Sequence, residues 1–230
     1  MLDMPLMEIS GLERHYDMAS GVVKALDGID LEIEKGERIV LLGPSGSGKS
    51  TLLNLIGGLD QPSSGSVEIE GTELATMTPA ERSDLRRDRL GFVFQAYNLI
   101  PVLTAAENTE FVLQLQGKSA TERRERAVEM LAAVGLEGME NRRPHEMSGG
   151  QQQRVAVARA IAADPALVLA DEPTANLDST TSDELIATMK RLNSELGVTF
   201  VFATHDPKVM DAAQRVIRLV DGEIAEDIRK

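Results

Sequence analysis

The chain has 230 residues and carries 24 Lys and Arg against 37 Asp and Glu, a net charge of −13. That balance argues against a general nucleic-acid binder, which needs a cationic face, and against charge-driven docking on anionic lipid. With no cysteine there is no disulfide, thiolate metal site or cysteine nucleophile, and three scattered histidines are too few to predict a histidine metal cluster.

The opening residues, MLDMPLMEIS, lack the basic start and apolar run of a signal peptide. No window approaches 18 apolar residues, so no bilayer span is expected and the chain reads as soluble and cytoplasmic. Between residues 5 and 34, short runs such as Met7-Glu-Ile-Ser and Ile29-Asp-Leu-Glu-Ile alternate with period two, predicting half-exposed antiparallel strands. Ile39-Val-Leu-Leu is continuously apolar, as a strand buried on both faces of a parallel sheet must be. Directly after it comes Gly43-Pro44-Ser45-Gly46-Ser47-Gly48-Lys49-Ser50-Thr51, which fits G-x-x-x-x-G-K-[ST] at the start of a helix. The glycines let successive N–H groups turn inward around an anion at a helix N-terminus. Lys49 is then predicted to reach the β and γ phosphates, and the Ser50 hydroxyl to ligate Mg²⁺.

Val67-Glu-Ile-Glu before Gly71 returns to strand alternation. From about 104 to 163 the signals are helical: Thr104–Leu115, then a Ser119/Glu122 capping box before an apolar face of Ala127, Val128, Leu131 and Val134. Ser148 is a natural N-cap for a helix running from Gln151, and Gly149-Gly150 expose N–H groups at its start, a second anion-binding terminus. Leu167-Val-Leu-Ala leads to Asp171-Glu172 at the end of a buried strand, where ligands bind in parallel α/β sheets. Asp171 is the candidate metal ligand, and Glu172 the candidate to orient and polarise an attacking water. Val198-Thr-Phe-Val-Phe-Ala is another buried strand and ends at Thr204-His205. Val216-Ile-Arg-Leu-Val, the pair Asp221-Gly222 and Glu223-Ile-Ala predict a closing hairpin. The whole reads as an α/β fold, with a core over about 1–95 and 164–230 and a helical insertion over about 96–163.

At Met147-Ser148-Gly149-Gly150-Gln151 the chain resembles the ATP-binding cassette (ABC) family of ATPases, whose signature is L-S-G-G-Q; Met stands here for Leu. The resemblance implies a P-loop NTPase fold: a parallel core sheet, an antiparallel N-terminal β subdomain and an inserted helical subdomain. It implies ATP with Mg²⁺, hydrolysed by in-line attack of water, and two copies in head-to-tail contact. In such a homodimer Ser148, Gly149, Gly150 and Gln151 of one copy complete the pocket of the other. It further implies that Tyr16 stacks on adenine, that Gln95 donates an oxygen to Mg²⁺ and reports γ-phosphate occupancy, and that Asp178 crosses the dimer interface. His205 would then hold Glu172 and water in register, so that Glu172, His205 and Lys49 form the catalytic set.

Gly57-Gly-Leu-Asp-Gln-Pro, Phe92-Val-Phe-Gln95 with Ala-Tyr-Asn-Leu-Ile-Pro, and Leu169-Ala-Asp-Glu-Pro-Thr-Ala-Asn-Leu-Asp178 are similar to the branch of lipoprotein-release (LolD-like) and macrolide-export (MacB-like) ATPases. That branch implies an integral membrane permease as partner, a peripheral place on the inner face of the membrane, no nucleic acid and, in some members, a periplasmic adaptor. An FtsE-like regulatory ATPase, signalling through a membrane partner without transport, is the alternative; a soluble ABC ATPase is a more distant one. Leu99, Ile100, Val102 and Leu103 around Pro101 form either an apolar groove for a permease helix or packing beneath the insertion.

Overall fold

In the computed structural model, residues 4–19 and 21–230 are described. Their elements run β1 (Met7–Met18), β2 (Gly21–Ile33), β3 (Arg38–Leu42), α1 (Lys49–Ile56), β4 (Ser64–Ile69), β5 (Thr72–Glu73), α2 (Pro79–Arg89), β6 (Leu90–Val93), α3 (Ala105–Leu115) and α4 (Ala120–Ala133). Then follow α5 (Gly149–Ile161), β7 (Leu167–Asp171), α6 (Ser179–Leu196), β8 (Thr199–Ala203), α7 (Pro207–Ala212), β9 (Arg215–Val220) and β10 (Glu223–Arg229). The fold is α/β with an antiparallel and a largely parallel sheet, and it divides into two compact units. One comprises residues up to Asp84 together with Thr199–Lys230; the other is Leu85–Val198.

In the first unit, β2, β1, β4 and β5 form the antiparallel sheet. Its alternating sequence buries Met7, Ile9, Ile29, Leu31, Ile33 and Val67, while the intervening charged residues of β1 and β2 stay outside. Beside it, β3 is flanked by β8 and β9, both parallel to it, with Leu41 opposite Ala203 and Ile217. All five residues of β8 are buried, which is why its sequence shows no polar alternation. β9 returns as β10 through Asp221 (φ 48°) and Gly222 (φ 84°), the double positive φ of a type I′ turn.

The second unit pairs β6 with β7 in parallel and surrounds them with α3 to α6. Among the described residues between Val93 and Leu167 there are helices and no strand. The Ser119 capping box closes as its sequence predicts, and Thr104 closes a second one with Glu107. Ala127, Met130, Leu131 and Val134 form the buried stripe of α4, whereas Val128 is 38% exposed and lies off it.

An ion cluster around the buried Arg215 ties strands of the first unit together. Arg215, 5% exposed, donates from Nε and Nη2 to the Asp227 carboxylate (2.8 and 2.6 Å) and from Nη1 to the Glu32 carbonyl (2.7 Å) and Glu37 (3.3 Å). The Arg215 guanidinium holds the Asp227 carboxyl below the usual carboxylate range. A depressed carboxyl contributes stability that is complete above its unfolded pKa and is lost as pH falls through its folded one. Thermal melts from pH 7 to pH 3 are therefore expected to show an acid-side loss of stability that is smaller in Asp227→Asn; parallel curves for the two proteins would refute the coupling.

Candidate functional site

In the first unit, the candidate phosphate loop leaves the C-terminal end of β3, and Thr204-His205 leaves the same end of the adjacent parallel strand β8. The loop closes on its own lysine: Lys49 Nζ donates to the carbonyls of Gly43 (2.8 Å) and Pro44 (3.0 Å). Gly48 caps α1 at φ 101°, and a Cβ there would lie 2.5 Å from the Ala25 carbonyl oxygen, so both conformation and space demand glycine. α1 has no side-chain cap and no acid in its first turn, leaving its positive end to an external anion. Ser47 is 3% exposed, and its Oγ has no hydrogen-bond partner among the described residues. An orphaned buried hydroxyl costs about 1–3 kcal/mol, a cost a ligand oxygen relieves. Cationic Lys49, the bare helix terminus and this hydroxyl form a donor set that fits a phosphate chain.

Ser50 is the second residue of α1, directly after Lys49, and Pro44, Ser45 and Gly46 are not buried. Thr204 is buried and its Oγ1 accepts from Asp206 N (3.1 Å), while Asp206 caps α7, so exposed His205 sits between two fixed neighbours. Tyr16 donates its hydroxyl to Asp60 (3.0 Å), and the Arg14 guanidinium lies 4.5 Å from its ring centroid. Glu13, His15 and Asp27 bring ligand-capable atoms within 4.8 Å of one another, but Lys24 already occupies Asp27 at 2.9 Å.

In the second unit, Gln95 follows the C-terminal end of β6, and Asp171-Glu172 stand at the same end of the parallel neighbour β7. The Gln95 carbonyl accepts from Asn176 Nδ2 (2.9 Å), tying the loop after β6 to the loop after β7. Tyr97 and Asn98 have positive φ (60° and 50°), and Arg159 of α5 donates to both carbonyls (2.9 and 2.6 Å). Buried Asn108 holds the next stretch, accepting from Ile100 N (2.8 Å) and donating to the Ile100 and Leu103 carbonyls. There Val102 is 73% exposed, whereas Leu99, Ile100 and Leu103 are half-buried, so the apolar cluster divides between surface and packing.

Glu172 is half-buried with φ 46°. A left-handed conformation at a non-glycine residue costs about 1–3 kcal/mol. Pro173 behind it restricts the backbone further. Such strain persists only where the surroundings impose it.

At the second predicted anion terminus, Ser148 Oγ accepts from Gln151 N (3.3 Å) and Gln151 Oε1 accepts from Ser148 N (3.0 Å), closing a capping box at the start of α5. A Cβ on Gly150 would lie 2.2 Å from Thr181 Cγ2, so this glycine serves the close approach of α5 to α6, while Gly149 faces the Tyr97 hydroxyl. Met147, where the family signature has Leu, is 7% exposed and packs as an apolar residue should. Asp178 is the N-cap of α6; the Thr181 hydroxyl (2.6 Å) and amide (3.0 Å) hold its carboxyl below the usual range. Sequence reading did not single out Gln153, Arg159 or Asn176 as the residues that fasten these loops.

A family profile described as ABC transporter matches residues 26–175. The chain is 45% identical over 224 residues to the lipoprotein-releasing system ATP-binding protein LolD of Anaeromyxobacter dehalogenans, covering 97% of this chain and 94% of that protein. It is 46% identical over 225 residues to a macrolide export ATP-binding/permease protein MacB of Paracoccus denitrificans, covering 98% of this chain but 34% of that protein. A solved structure described as a dimeric post-hydrolysis state of the ATP-binding cassette MJ0796 bound to ADP and Pi matches with a TM-score of 0.89. It is 44% identical and covered over 97% of this chain and 98% of that one; MJ0796 comes from Methanocaldococcus jannaschii. Among the described residues, no helix is long and apolar enough to cross a membrane.

Proposed function

Because the chain belongs to the ABC transporter family, as an ATP-hydrolysing ATP-binding subunit, we propose that it powers a membrane permease of the lipoprotein-release or macrolide-export type through ATP-driven closure of a homodimer. The observation that carries the reading is the loop between β3 and α1, folded around the Lys49 ammonium with a buried, unpartnered Ser47 hydroxyl. Likeness to LolD over nearly its whole length and to about a third of MacB supports this branch. The separate permease and its place at the membrane are part of the proposal.

In this reading, Lys49 Nζ exchanges the Gly43 and Pro44 carbonyls for β and γ phosphate oxygens, and the N–H groups at the start of α1 offset the charge that develops during transfer. Ser50, Gln95 and Asp171 are the residues to hold Mg²⁺, which when bound neutralises phosphate charge. Glu172 accepts a hydrogen bond from the attacking water and draws off its proton. His205 donates to the γ phosphate and keeps that water aligned, and Tyr16 supports the base. Asp178 and Ser148-Gly149-Gly150-Gln151 act across the dimer.

The test is phosphate release by the purified chain, alone and reconstituted with a candidate permease of that type. Severalfold stimulation by the permease, abolished in Lys49→Ala, is expected. A chain that hydrolyses ATP at one rate with or without that permease, and never co-purifies with it, would point instead to work independent of a membrane partner.

A further inference from the structure

Gln153 is a polar residue on an apolar helical stripe. It lies on the buried face of α5 with Val157 and Ala160, at four- and seven-residue spacing, and is 0% exposed. Its Nε2 donates to the carbonyl oxygen of Pro173 at 2.7 Å, while its Oε1 meets no donor among the described residues. A half-satisfied buried amide is a poor choice for stability, because an apolar side chain of the same length removes the unpaired acceptor. The bond it does make falls on the residue next to Glu172, whose left-handed backbone precedes a proline and must be held from outside.

We infer that Gln153 is a positioning residue for Glu172: it fixes the Pro173 carbonyl, and through it the direction of the Glu172 side chain, from the first turns of the helix that begins at Ser148. A shift of that helix then carries the Glu172 turn with it, so engagement of Ser148 by a partner's nucleotide is transmitted within one protomer to the group that activates water. This rests on the role of Glu172 proposed above, and it adds a residue that touches neither nucleotide nor metal.

The experiment replaces Gln153 with Met, which matches its length and lacks the donor, in the full chain, with Gln153→Leu as a second apolar shape. ATP turnover per folded protein is measured in the natural background and in Glu172→Gln, the latter by single turnover with radiolabelled ATP. Gln153→Met is expected to lower kcat by about 10-fold to 100-fold, as loss of alignment does, and to leave the KM for ATP within about twofold. Its melting temperature should stay within about 3 °C, since one acceptor is relieved as another is left unpaired. In Glu172→Gln the same substitution should change the residual rate by less than about twofold, because there is no base left to aim. An unchanged kcat in both apolar variants, or an equal fall in both backgrounds, overturns the inference. A natural chain that hydrolyses no ATP overturns the functional reading instead, and Glu172→Gln with full turnover overturns the role of Glu172; the two failures are told apart by the controls.

Discussion

Glu172→Gln is expected to cut steady-state ATP turnover by about two to four orders of magnitude while ATP affinity stays nearly intact. The substitution keeps the size of the side chain and its capacity to accept a hydrogen bond through the amide oxygen, but it removes the proposed proton acceptor. The residues proposed to bind the phosphates are others: the Lys49 ammonium, the α1 terminus and the Ser47 hydroxyl all lie in the first unit, whereas Glu172 lies in the second. The variant should therefore fill with ATP and accumulate in the state that precedes hydrolysis. Size-exclusion chromatography with ATP and Mg²⁺ should show a dimer that persists in Glu172→Gln and disperses in the natural chain as nucleotide is consumed. The backbone strain at Glu172 belongs to the peptide and not to the carboxylate, so the melting temperature should move little. Full turnover in Glu172→Gln would place the general base elsewhere.

The parts of the fold that announced themselves in the sequence are those in which one physical requirement dominates. β3, β7 and β8 read as buried parallel strands because a strand covered on both faces admits no polar alternation. The Ser119 and Ser148 caps were legible because side chain and backbone at three-residue spacing form a closed local unit that needs no tertiary context. α2 escaped prediction for the opposite reason: it buries no residue, so it has no apolar period to read. Its start was nevertheless written in Thr78-Pro79-Ala80-Glu81, where Glu81 accepts from Thr78 N (2.7 Å) and Thr78 Oγ1 accepts from Glu81 N (3.3 Å). The candidate site divides in the same way. Lys49 is announced by the loop that must wrap it, and Glu172 by the strand that must end before it. Gln153, Arg159 and Asn176 act on carbonyls 20, 61 and 81 residues away in the chain, and no local pattern marks a side chain whose partner is a distant backbone oxygen. Asp178 shows a further ambiguity: the carboxylate that the family resemblance assigns to a dimer contact is also the N-cap of its own helix, and one residue type satisfies both demands.

Mixing two inactive chains should restore hydrolysis if each pocket is shared between copies. Lys49→Ala lacks the ammonium proposed to bind phosphate, and Ser148→Arg places a bulky cation where the Ser148 hydroxyl caps α5, at an exposed position that tolerates its volume in the monomer. In a two-fold symmetric dimer, a heterodimer of these chains has one pocket with both defects and one with neither. Random pairing makes about half of all dimers mixed, so the mixture should recover up to about a quarter of the natural turnover per chain where the two pockets act independently. Either variant alone should stay near background. Pockets contained within one chain predict no recovery at any ratio, since every pocket then keeps its own defect. Coupled pockets, in which both must be intact for either to fire, also predict none, and they are separated from that case by ATP-driven dimer formation of the mixture, which only shared pockets support. The capping box makes Ser148→Ala the gentler companion: loss of the cap costs α5 about 1 kcal/mol, so its monomer should remain folded and bind ATP, while its cooperative hydrolysis falls.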